Sequence, residues 1–200
     1  MLLLVLLLFI CKSEYCYSNN ASCIEVERVA LLRFRESLID LSYRLSIPDW
    51  FVTLIWACRV IDLSKNNIRG ELPMSDEVSF LSVVFKFSSN HLTGEIPKWL
   101  CSLEFLEILD ISSNKLSGEI PSCFGELQEL RYLNLGNNQL FGHIPNSLGS
   151  LDVLYSLHLQ NNKFEGGLPS SLQNLQSLIT LDLSENGLMD VIPPLGSEKT

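Results

Sequence analysis

The chain has 200 residues, with 14 Lys and Arg against 23 Asp and Glu for a formal net charge of −9. That acidic balance argues against a protein that grips nucleic acid by neutralising phosphates, and a hydrophobic share of 46% excludes disorder by composition. The length suits one globular domain or a stretch of a repeat array, and is too short for a receptor that also spans a membrane and carries a kinase. Leucine supplies about a fifth of all residues, an excess that asks for a repeat search.

Residues 1–10 form an unbroken apolar run, shorter than the roughly 20 residues a bilayer span needs. Lys12, Ser13 and Glu14 follow at once, so residues 1–18 read as a secretory signal peptide, with a cut after Ser18. The alternative is a buried N-terminal helix. Secretion implies an oxidising compartment. Of the six cysteines, Cys11 and Cys16 leave with the signal, and Cys23, Cys58, Cys101 and Cys123 remain. Asn20, in Asn20-Ala21-Ser22, fits the N-glycosylation acceptor pattern. Ser22 and Glu25 then have capping-box spacing, and Val26, Ala30, Leu31, Phe34, Leu38 and Leu41 recur at helical spacing, which predicts a helix of about four turns.

From residue 55 to residue 195 one pattern returns. Asn66, Asn90, Asn114, Asn138, Asn162 and Asn186 stand 24 residues apart, and the letters around them agree six times with no insertion. The third repeat, Leu103 to Glu126, reads LEFLEILDISSNKLSGEIPSCFGE. The LDL-like segment alternates apolar and polar residues, so it is a short strand with one buried face. Leu109 and Ile111 point inward and Asp110 outward. Each asparagine amide satisfies backbone groups inside its turn, and neighbouring asparagines stack as a ladder. Gly70, Gly94, Gly118, Gly142 and Gly166 sit where the chain bends tightly. The recurring prolines hold the far side in extended or turn conformations. One coil cannot bury its apolar face alone, and stacked neighbours supply the other half of the core.

These repeats resemble the plant-specific leucine-rich repeat class with LxGxIP, found in receptor-like proteins, receptor kinases and polygalacturonase-inhibiting proteins. The resemblance implies an α/β solenoid: a curved array with a parallel sheet on its concave face, a second short sheet on the LxGxIP side and an N-terminal helical cap. Cys23, Glu27, Ala30, Leu31, Leu32 and Phe34 resemble that cap, which is placed at residues 22–46. The family cap continues with a pair of adjacent cysteines that this sequence lacks. Ile47-Pro48-Asp49-Trp50-Phe51 looks instead like the tail of a later repeat. Either the cap is joined directly to internal repeats at a seam, or the cap is divergent. The WLC and IPSCF segments around Cys101 and Cys123 resemble late repeats of receptor-like ectodomains, and that resemblance implies a bridge between them. The alternative is two separate thiols.

Ligand information must lie at variable exposed positions, since the buried letters explain only the fold. One concave column is expected to run Asp62, Lys86, Asp110, Asn134, His158, Asp182. Tyr132 beside it is a candidate aromatic anchor. His91, Lys115, Gln139 and Lys163, each following a ladder asparagine, are placed on the same concave surface. The simplest alternative for each of these residues is solvated surface. His91, His143 and His158 show no metal-ligand spacing, and no kinase or phosphate-loop signature occurs, so neither an enzyme nor a cofactor is expected.

The reading is therefore an extracellular recognition module of a plant receptor-like protein, similar to the ethylene-inducing xylanase receptor subgroup. It would bind a defence-related protein or peptide, with a co-receptor kinase as a further partner and no nucleic acid. Its place is the secretory pathway, apoplastic as given, and the plasma membrane if an anchor follows. The alternatives are a secreted inhibitor of a pathogen wall-degrading enzyme and a truncated remnant.

Overall fold

The computed structural model describes residues 45–46, 59–72 and 82–189. The expectations for the signal peptide, Asn20, the cap helix, the seam, Cys23, Cys58 and residues 190–195 lie outside the described residues. Leu45–Ser46, at the end of the expected cap, is a short strand, β1, paired in parallel with Ile68–Glu71, β3.

Each 24-residue unit makes one coil. Its LDL-like segment forms a three-residue strand: β2 Val60–Asp62, β4 Val84–Lys86, β6 Ile108–Asp110, β8 Tyr132–Asn134, β10 Ser156–His158 and β12 Thr180–Asp182. These six pair in parallel and in sequence order into one sheet. Register is constant: Leu109 faces Phe85 on one side and Leu133 on the other. That register follows from the central apolar residue of each strand, which must point to the core, since a one-residue slip would turn it out.

After each ladder asparagine the chain enters a second strand. These are β3, β5 His91–Thr93, β7 Ser117–Gly118, β9 Gln139–Gly142, β11 Lys163–Gly166 and β13 Gly187–Leu188. They line the flank in shorter parallel sheets. The proline of each Ile-Pro pair, or of Leu168-Pro169 in the fifth coil, then opens a 3-10 turn on the opposite, convex side: Lys98–Ser102, Ser122–Glu126, Asn146–Ser150 and Ser170–Asn174. Proline suits that entry because its fixed φ is preset and its missing N–H leaves no donor unpaired.

The core is the leucine column inside the coil. Leu103, Leu106, Leu109, Ile111, Leu116, Phe124 and Leu127 are all fully buried. The second coil fills two leucine positions with phenylalanine. Phe85 and Phe87 stack at 4.6 Å, and the buried Trp99 meets Phe85 edge-on at 5.9 Å.

The asparagine ladder takes the expected form. Asn114 Nδ2 donates to the carbonyl oxygens of Phe87 (2.9 Å), Ile111 (3.1 Å) and Ser112 (3.1 Å), and its Oδ1 accepts from Leu92 N–H at 2.9 Å. One side chain thus closes its own turn and ties it to the preceding coil. Asn90, Asn138, Asn162 and Asn186 repeat the arrangement. The Cys101–Cys123 bridge is present, joining the convex turns of the second and third coils with a Cα–Cα distance of 5.8 Å.

Candidate functional site

The six-stranded sheet carries two parallel lines of residues on its outer face, most of them half-buried. Strand-ending residues form the first: Asp62, Lys86, Asp110, Asn134, His158 and Asp182 lie directly opposite one another in register. The structure thereby brings this whole candidate column together. Strand-opening residues form the second line: Val60, Val84, Ile108 and Tyr132, all half-buried, then Ser156 and Thr180. The face is therefore two-sided in character, with an apolar strip over β2 to β8 beside a row of charges and amides.

His91, Lys115, Gln139 and Lys163 require a correction. They do not share the concave sheet. His91, Gln139 and Lys163 open the flank strands β5, β9 and β11. Lys115 stands just before β7, its N–H donating to Leu92 C=O at 2.8 Å. The cause is a left-handed residue ahead of each asparagine: Lys65, Ser89, Ser113, Asn137, Asn161 and Glu185 all have φ between 52° and 58°. That turn redirects the chain, so whatever follows the asparagine leaves the concave face. Four residue types, Lys, Ser, Asn and Glu, fill these six positions, and the turn gave no signal beyond its fixed place in the 24-residue period.

Several acids of the row also hold the fold. Asp110 Oδ1 accepts from Ser112 Oγ at 2.6 Å and from Ser112 N–H at 3.2 Å. Asp182 does the same with Ser184, at 2.7 and 3.1 Å. Asp62 accepts from Ser64 N–H, and Asn134 from Gly136 N–H. These are Asx turns that end β2, β6, β8 and β12. Bonds from the Ser184 hydroxyl and then its N–H, with a smaller contribution from His158, hold the Asp182 carboxyl below its ordinary value.

The sequence did not reveal a cluster around His158. Its Nε2 lies 2.8 Å from Ser156 Oγ, and its ring centre is 5.6 Å from that of Tyr132. Asn134 Nδ2 donates to the Tyr132 hydroxyl at 3.2 Å. Burial raises the Tyr132 phenol above its ordinary value, partly offset by Asn134. The two hydrogen bonds lie within single strands, β10 and β8, and the ring contact crosses between adjacent coils because the register is fixed, so the aromatic and imidazole rings meet at the end of the apolar strip. Just outside the sheet, Arg131 pairs with Glu107 at 3.4 Å, both well exposed; such a pair adds little stability.

Among the described residues there is no group of three or more His, Cys, Asp or Glu able to hold a metal, and no helix long and apolar enough to cross a membrane.

Comparison with known proteins agrees with this architecture. The leucine-rich repeat family matches residues 84–140, and a second leucine-rich repeat description matches 153–175 and 177–197. Comparison with curated proteins returns no match. Among solved structures, the plant peptide hormone receptor RGFR1 in complex with RGF2 is 32% identical with a TM-score of 0.69, covering 75% of this chain and 24% of that one. The Arabidopsis receptor kinase HAESA, in complex with the peptide hormone IDA and the co-receptor SERK1, is 37% identical with a TM-score of 0.63, covering 73% of this chain and 25% of that one. The chain thus spans about a quarter of the length of these receptor structures. A structure of the Arabidopsis thaliana BIR3–SERK2 complex is 33% identical with a TM-score of 0.56, and there the match covers 81% of this chain and 82% of that one. With its repeats matched over half its length and a solved relative covered over most of its own, the chain belongs to the leucine-rich repeat family.

Proposed function

We propose that the chain is an extracellular recognition module of a plant receptor-like protein, holding a protein or peptide along its six-stranded sheet without catalysis. One observation carries the reading: the apolar strip Val60, Val84, Ile108 and Tyr132 runs in register beside the polar row from Asp62 to Asp182. An extended ligand crossing the strands meets apolar contact on one side and alternating charge on the other. Asp62, Lys86 and Asp110 are cross-strand neighbours of opposite sign, so this part of the row favours a partner with matched charges over a uniformly charged one. Structural relatives solved with peptide hormones and with co-receptors support a peptide ligand and a kinase co-receptor partner. The finer assignment is a defence role of the xylanase-receptor kind, on the extracellular side of the plasma membrane.

The test is direct binding of the purified chain to a fungal xylanase and to a panel of elicitor peptides, using a Val84→Asp/Ile108→Asp variant as control. Saturable binding that weakens at least tenfold in the variant supports the proposal. Binding that the variant leaves unchanged, or no binding to any member of the panel, overturns it.

A further inference from the structure

The repeat places the same two turn positions face to face at successive convex junctions. Between the third and fourth coils these are Gly125 and Ser147; between the fourth and fifth, Gly149 and Ser171. A Cβ on Gly125 would overlap the Ser147 carbonyl oxygen and lie 2.7 Å from Ser147 Cβ, and one on Gly149 would lie 2.5 Å from Ser171 Cβ. Both junctions therefore close because one partner has no side chain. Between the second and third coils the same positions hold Cys101 and Cys123, with the same separation of 22 residues. Bridged cysteines keep their Cβ atoms about 3.8 Å apart, so this junction cannot adopt the glycine–serine spacing.

We propose that the Cys101–Cys123 disulfide is a redox-gated latch, a covalent substitute for glycine–serine closure whose reduction opens the array between its second and third coils. Both cysteines are half-buried rather than enclosed, so a small dithiol reaches the bond. A thiolate of the dithiol attacks one cysteine sulfur, and its second thiol resolves the mixed disulfide. The dithiol leaves as a cyclic disulfide, and two electrons and two protons pass to Cys101 and Cys123. The two free thiols then need more room than the bonded pair, and the Cβ at position 101 still forbids the closer spacing. The reduced junction has neither the bond nor the tight contact. It lies behind the neighbouring strands β4 and β6, which carry Lys86 and Asp110, so its opening loosens the middle of the concave row.

Hydrogen exchange on the whole protein, oxidised and after dithiothreitol, tests the latch. Exchange in 98–102 and 122–126 is expected to quicken at least tenfold on reduction, while 146–150 and 170–174 stay unchanged. Cys101→Ser/Cys123→Ser should match the reduced protein. Cys101→Gly/Cys123→Ser, which recreates the glycine–serine pair, should restore slow exchange and ignore dithiothreitol. Equal exchange in the two double variants overturns the proposal. So does reduction that leaves all four turns unchanged or affects them alike; this arm needs no variant to fold.

Discussion

Asn114 shows how much one residue carries. It is 9% exposed and satisfies four backbone groups in two coils. Replacing it by alanine leaves buried donors and acceptors without partners, each costing about 1–3 kcal/mol. Asn114→Ala should lower stability by roughly 3 kcal/mol, read as a fall in the urea midpoint at unchanged m-value. Asp182 provides a pH signature. Its folded carboxyl lies below the ordinary value because Ser184 donates to the charged form. The associated stability is therefore fully present above the unfolded carboxyl pKa and is lost as pH falls through the lower folded one. A carboxyl NMR titration should place Asp182 below an ordinary aspartate, and Ser184→Ala should move it back up. The ladder was legible in the sequence because one residue type recurs every 24 positions. The placement of His91, Lys115, Gln139 and Lys163 was not, because a backbone conformation decides it and four different residue types supply that conformation.

Elements here are short, and their identity comes from neighbours. No three-residue strand is stable alone; β6 exists because β4 and β8 flank it in register. The flank strands depend on close approach as well as hydrogen bonding. Gly118 has φ +85°, and a Cβ there would lie 2.9 Å from Glu95 Cγ. Gly118→Ala should cost more than about 1 kcal/mol, since alanine at positive φ is strained whatever space is found. Gly125→Ala, at an ordinary φ, tests crowding alone against Ser147. Differential scanning calorimetry should show both variants melting below the parent. The repeated glycine at 70, 94, 118, 142 and 166 was visible in the sequence. The glycines at 125 and 149 were not singled out, because the equivalent position of the second coil is Cys101 and the pattern breaks there.

At the scale of the molecule, coils that share one core column unfold together only where neighbours are well packed. Leu133 is fully buried in the fourth coil, with β6 and β10 on either side. Leu133→Ala should cost roughly 2–5 kcal/mol and weaken the array from its middle, as hydrogen exchange across β6 to β10 would show. The solenoid and its leucine core followed from periodicity, while the bridge between Cys101 and Cys123 was suggested by resemblance to late receptor repeats. The two-sided character of the sheet face needed the structure. Only fixed register brings Tyr132 against His158 of the next coil and sets the apolar strip beside the polar row. The most direct measurement compares ligand affinity in two variants of the whole protein, one altered on the concave strip (Ile108→Asp) and one on the flank (Lys163→Glu). The account predicts at least a tenfold loss for the first and no change for the second. Loss in the flank variant, with the concave variant unaffected, would contradict it.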